Sequence, residues 1–212
     1  MAKNKDIYPI FMGDVVSSSS YEGEILSKEL NELVTETNSS FKKNILSPLT
    51  ITLGDEFQGV LKTTASGVNL LFHMEEAILE KELDFKLHYV LLLGEIETEI
   101  NPKIAYEMLG KGLTEARNLL SSKKRNRKRF KFKLRDKEQS DQLTKLFEVL
   151  DAIILNWKKE DYPLILDMIS NDNNEEVGEL HGKNRAQIWK RRKTLMINEY
   201  NLMKDFIQTY IK

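Results

Sequence analysis

Two rhythms of apolar and polar positions run along the chain, and each predicts a different kind of element. "IYPIFMG" (Ile7 to Gly13) is a short apolar run closed by Gly13-Asp14, which predicts a buried strand ending in a polar loop. Ser17 to Ser20 then supply cap candidates for a helix whose apolar positions Ile25, Leu26, Leu30, Leu33, Val34 and Phe41 recur at helical spacing. "LTITLG" alternates as a strand does, and Gly54-Asp55 turns it into "EFQGVLK", so Leu49 to Lys62 reads as a hairpin with Asp55 and Glu56 at its tip. Ala65 to Glu80 is a second amphipathic helix, "FKLHYVLLLGEI" (Phe85 to Ile96) a central strand, and Ile104 to Leu120 a third helix. "RFKFKLR" (Arg129 to Arg135) alternates Phe130, Phe132 and Leu134 with basic residues, the pattern of an edge strand with one buried face.

That order predicts an α+β fold: a ferredoxin-like βαββαβ core with an added helix and strand. Its mainly antiparallel sheet would carry helices on one face and leave the other open. A long helix, Asp141 to Lys158, follows, with Leu143, Leu146, Phe147, Leu150, Ile153, Ile154 and Trp157 on one stripe. Four short helices then run to the end, the first over Pro163 to Ile169 and the second over Glu175 to His181. Gly182 ends the second, and "NRAQIWKRRKTL" begins the third. Two short helices about a glycine turn, the latter strongly basic, form the signature of a helix-turn-helix domain. Val177, Leu180, Ile188 and Trp189 are its packing candidates. Asn184, Arg185, Gln187, Lys190, Arg191 and Lys193 are its exposed ones, with side chains suited to base edges and phosphates. An ordinary solvated helical hairpin is the alternative. The expected organisation is residues 1–136 as the sheet domain, 137–159 as a connecting helix and 160–212 as the helix-turn-helix domain.

Composition narrows the function classes. The 32 Lys+Arg balance 33 Asp+Glu for a net charge of -1, so any polyanion site must come from local segregation. There are no cysteines, which excludes disulfides, thiolate metal sites and a cysteine nucleophile. No stretch approaches the roughly 20 apolar residues of a membrane helix, and Asp14 comes too early for a signal-peptide core, so no membrane partner and a cytoplasmic location are expected.

The candidate chemistry lies at the strand ends. Asp14 leaves the first strand and Asp55 sits at the hairpin tip. If those strands pair at the sheet centre, the two carboxylates become neighbours and could hold a hard cation such as magnesium. As turn and capping residues the same two would need no metal. Glu56 reads as a solvated hairpin residue, and Arg117 on an amphipathic helix as a surface ion-pair partner. His73, His88 and His181 have no mutual ligand spacing, and none is offered as catalytic.

"FMGDVVSSS", "ITLGDEFQGVL", "LGEIETEIN" and Ala116-Arg117, in this order over nearly the whole chain, resemble the SatD family of bacterial proteins. That family's first domain is similar to the core of class III nucleotidyl cyclases and diguanylate cyclases, and its C-terminus to helix-turn-helix proteins. The resemblance implies metal binding by Asp14 and Asp55, with Mg2+ as the cofactor, and places nucleotide binding at Arg117. It also meets departures. The cyclase Asn one turn before the Arg is Leu113 here, and the glycine-rich strand holds Val90 and Leu92, with Gly94 retained. "MLGKGL" replaces the acidic and Gly-Pro residues that usually precede Ala-Arg.

Lys123, Lys124, Arg125, Arg127, Lys128, Arg129, Lys131, Lys133 and Arg135 form a basic run without a local acid, and Phe130 and Phe132 within it serve as core residues or as stacking faces for bases. The expected function is a DNA-binding regulator whose cyclase-like domain is catalytically degenerate and serves as a sensor or dimerisation module. The alternative is a metal-dependent enzyme acting on a nucleotide or nucleic acid. Expected partners are duplex DNA, a nucleotide ligand and a second copy of the chain.

Overall fold

The computed structural model describes residues 6–121 and 128–211. In chain order the elements are β1 (Ile7–Val15), α1 (Gly23–Ser40), β2 (Ile45–Ile51), β3 (Glu56–Leu61), α2 (Thr64–Glu80), β4 (Leu87–Glu95), α3 (Lys111–Leu120), β5 (Phe130–Lys133), α4 (Lys137–Ile154), α5 (Tyr162–Ser170), α6 (Asn174–Leu180), α7 (Arg185–Thr194) and α8 (Ile197–Tyr210). The fold is α+β. The five strands form one mixed sheet in the order β2-β3-β1-β4-β5. β1 lies at its centre, antiparallel to β3 and to β4, while β5 runs parallel to β4 at the edge.

Strand alternation sends successive side chains of β1 to opposite faces. Phe11 and Val15 enter a large core with α1, α2, α4 and the C-terminal helices, whereas Ile10 and Met12 enter a second, smaller core. The large cluster is continuous from Phe11 to Tyr200, Ile207 and Ile211, so α8 packs into the apolar layer that covers the sheet. Polar links reinforce this seam: Tyr200 Oη donates to Glu76 Oε1 at 3.1 Å, and Trp157 Nε1 donates to the Leu195 carbonyl at 2.8 Å.

The sheet's other face is covered, not open as expected. Ile96, Ala105, Met108, Leu113, Ala116 and Leu120 lie over Ile10, Met12, Val60, Val90 and Leu92. The expected helix from Ile104 is shorter, beginning at Lys111, and residues 96–110 form an irregular strap instead. Sheet side chains fasten that strap: Thr50 Oγ1 accepts from Ala105 N–H at 2.9 Å, and Gln58 Nε2 donates to the Ala105 carbonyl. Beyond it, α3 meets β4 backbone to backbone. A Cβ on Gly112 would stand 2.7 Å from the Gly94 carbonyl carbon and 2.7 Å from Glu95 N, so only glycine permits this approach.

Several local expectations change. Ile25 is 51% exposed and lies outside the packed stripe of α1. The long helix α4 starts earlier than expected because the Asp136 side chain caps it by accepting from Glu138 N–H. No helix among the described residues is long and apolar enough to cross a membrane.

Candidate functional site

The polar residues of the smaller-core face gather at one end of the sheet. Asp14 stands opposite Glu56 on β3 and His88 on β4, and directly opposed residues share a face. Five side chains from four elements therefore converge: Asp14, Glu56, Gln58, His88 and Arg117 of α3. His88 Nδ1 lies 3.2 Å from Asp14 Oδ1. Arg117 Nε donates to Glu56 Oε1 at 3.3 Å and its Nη2 to Gln58 Oε1 at 3.1 Å. Thr52 Oγ1 adds a 3.3 Å bond to Glu56 Oε1.

Glu56 is thus not a solvated hairpin residue. It is 9% exposed, and its burial is compensated by the Arg117 guanidinium. Asp55 sits at the tip where the sequence placed it, and its carbonyl accepts from Val15 N–H at 3.0 Å, so the hairpin tip does lie against the end of β1. Asp14 and Asp55 are the carboxylates at this end that would hold a cation. Among the described residues no three His, Asp or Glu side chains come together as ligands, Asp14 faces His88, and Glu56 faces Arg117. Leu113, Val90 and Leu92 are buried in the smaller core on the same face of the sheet, and none of the three side chains carries a hydrogen-bonding group.

Gln58 and His88 are the residues that sequence reasoning missed. Their signal is a polar side chain in the inward phase of an otherwise apolar strand, "EFQGVL" for one and "LHYVLLL" for the other. The basic run resolves differently. Lys123, Lys124, Arg125 and Arg127 lie outside the described residues. Of the others, Lys128 pairs with Glu148, Lys133 with Glu115, and Lys131 Nζ donates to the Leu119 carbonyl at 2.6 Å. Arg129 is buried between Glu75 at 2.6 Å and Asp151 at 2.7 Å, which hold its guanidinium firmly charged against the cost of burial. Phe130 and Phe132 are core residues packed on Phe147, not stacking faces for bases.

The second candidate surface is α6 and α7. Val177 and Ile188 are fully buried, but Leu180 is 70% and Trp189 58% exposed, so neither packs the pair as expected. The turn depends on two glycines. Gly182 has φ +61°, and a Cβ on Gly178 would stand 2.4 Å from the Lys183 carbonyl oxygen. The sequence overlooked Arg192. It is 5% exposed and fastens α7 to the end of α5 by donating to the Met168 carbonyl at 2.6 Å, the Asn171 carbonyl at 2.7 Å and Asn174 Oδ1 at 2.9 Å. Arg191 is not fully exposed as expected, because it pairs with Asp161. Asn184 and Gln187 close a capping box at the start of α7. Asn184, Arg185, Gln187, Lys190 and Lys193 are exposed.

The SatD family model matches residues 8–200. The chain belongs to the SatD family. No curated protein matches it. Among solved structures it is similar to a bacterial light-regulated adenylyl cyclase, with 12% identity and a TM-score of 0.38, over 62% of this chain and 44% of that one. It is also similar to the guanylyl cyclase domain of the RhoGC fusion protein from the aquatic fungus Blastocladiella emersonii, with 18% identity and a TM-score of 0.37, over 56% of this chain and 74% of that one. A third, the guanylyl cyclase Cya2, shows 12% identity and a TM-score of 0.37 over 57% of this SatD-family chain and 72% of its own.

Proposed function

We propose that this SatD-family chain is a DNA-binding regulatory protein. Residues 1–136 form a ferredoxin-like, cyclase-type unit without cyclase chemistry, and residues 160–212, reached through the connecting segment 137–159, present a helix-turn-helix. The strand order and antiparallel pairings around β1 support the first part. The observation that carries the second is the α6–α7 pair. A glycine-dependent turn and the buried Arg192 fix α7 in place, while its outward face keeps Arg185, Gln187, Lys190 and Lys193 exposed. A solvated hairpin has no need of a buried arginine with three hydrogen bonds to position one helix.

Binding to duplex DNA through these cations releases condensed counterions. Log affinity therefore falls linearly with log salt, by about 0.9 per phosphate contacted. Lys190→Ala and Lys193→Ala each flatten the slope by about one unit and weaken all sequences alike. Arg191→Ala leaves the slope nearly unchanged, because that side chain is paired with Asp161. Fluorescence anisotropy across a salt series measures all three, and duplex DNA that stays unbound at low salt removes the proposal.

A second reading, a metal-dependent enzyme acting on a nucleotide or nucleic acid, is favoured by one observation, the convergence of Asp14, Glu56, Gln58, His88 and Arg117. It assigns Mg2+ to Asp14 and Asp55 and the nucleotide to Arg117, which would have to leave Glu56 and Gln58. We expect no cyclic product from ATP or GTP with magnesium or manganese, since Leu113 offers no hydrogen bond to the transferring phosphorus. Metal-dependent cyclisation that disappears in Asp55→Ala would establish this reading instead.

A further inference from the structure

We propose that α7 reads guanine-rich major-groove edges, because from Arg185 to Lys193 the groups it turns outward are hydrogen-bond donors. The inference rests on the DNA-binding reading and adds the class of sequence bound. A free Asn or Gln amide reads adenine by donating to N7 while its carbonyl oxygen accepts from N6. At the start of α7 both amide oxygens, of the cap residue Asn184 and of Gln187, are already engaged with the backbone. Asn184 Oδ1 accepts from Gln187 N–H at 2.9 Å, and Gln187 Oε1 accepts from Asn184 N–H at 2.9 Å. Both partners are backbone donors, so the amide orientation follows from the bond itself: each oxygen is turned inward and each NH2 group outward.

The rest of the face agrees. Arg185, Lys190 and Lys193 carry no acceptor, and residues 183–193 contain no carboxylate. Arg191 and Arg192 are engaged with Asp161 and with the end of α5, so they do not join the face. The nearest acid in sequence, Glu179, is exposed at the end of α6 and lies outside α7, and Glu176 accepts from Asn171 and Asn173. Guanine offers O6 and N7 side by side as acceptors, whereas adenine sets its N6 amino group, a donor, against the donors of α7. Cytosine likewise offers the wrong polarity at N4.

The test is selection of full-length protein on randomised 20-base-pair duplexes at low salt, followed by affinity measurements on single duplexes. We expect selected sites with consecutive guanines on one strand, and a loss of roughly 5- to 140-fold for each contacted guanine changed to adenine. Replacing those guanines with 7-deazaguanine, which lacks the N7 acceptor, should weaken binding as well. Gln187→Glu is the informative variant. A glutamate oxygen can still accept from Asn184 N–H, so the capping box and the far-UV circular dichroism persist, but the outward group changes from donor to acceptor. One position of the selected site should then change from guanine toward cytosine. Adenine-rich selected sites, guanine-rich and adenine-rich duplexes bound within twofold of each other, or an unchanged preference in Gln187→Glu would each overturn this inference while leaving DNA binding intact. No binding to any duplex would instead overturn the underlying reading, and this one with it.

Discussion

Arg129→Met lowers the free energy of unfolding by about 3–5 kcal/mol, the cost of leaving buried carboxylates without their counter-charge. Arg129 and Glu75 are both buried, and Asp151 is the second acid on the same guanidinium. Nε also donates to the Leu87 carbonyl at 3.0 Å, and the guanidinium carbon lies 4.8 Å above the Phe130 ring. One side chain thus joins α2, α4, β4 and β5. Urea unfolding followed by far-UV circular dichroism measures the loss. Changing Glu75 and Asp151 to Leu in the Arg129→Met background should recover most of it, since an apolar set of similar volume avoids the desolvation of all three charges. A single variant that loses under about 1 kcal/mol would contradict the description of this triad as buried and coupled.

Gly178→Ala is expected to combine a stability loss of about 1–3 kcal/mol with at least a tenfold loss of the proposed DNA affinity. The new methyl would meet the Lys183 carbonyl oxygen at 2.4 Å, a backbone atom that cannot rotate away, and the same turn holds Lys183 N–H on the Gly178 carbonyl at 2.8 Å. Relief requires the turn to open, which moves Asn184 and the start of α7. Gly23→Ala is the matched control, because nothing lies within 4 Å of its Cβ position. It should keep both the melting temperature and the affinity. A Gly178→Ala protein that melts and binds as the parent does would remove the structural basis for the proposed helix-turn-helix.

The elements legible in the sequence are those whose burial follows from a local period. β1, the hairpin, α2 and β4 each show theirs. The strap was misread because Ile104, Met108 and Leu113 fall near helical spacing, yet Ala105 and Met108 reach the sheet as irregular chain held by Thr50 and Gln58. Tertiary hydrogen bonds decided between two states that the apolar pattern allows equally. The same holds for charge. "RNRKRFKFKLR" carries no acid, but Glu75, Glu115, Glu148 and Asp151 arrive from other elements to pair with it. Asp14 and Asp55 were legible as strand-end residues. Their neighbours Glu56 and His88 required the register, which no local window contains. The same limit hid Arg192, whose neighbours in "KRRK" all look alike in sequence.

The chain has two tryptophans in contrasting surroundings. Trp157 is 6% exposed, with its indole N–H on the Leu195 carbonyl and its ring 5.0 Å from that of Tyr200, at the seam between the sheet layer and the C-terminal helices. Trp189 is 58% exposed and rides on α7. The molecule therefore carries two intrinsic optical gauges. Burial should shift the emission of Trp157 to the blue and make it follow the integrity of the seam, and exposure should leave the emission of Trp189 open to solvent quenching and to events at the helix proposed to meet DNA, so that phenylalanine at either position isolates the other signal without an added label.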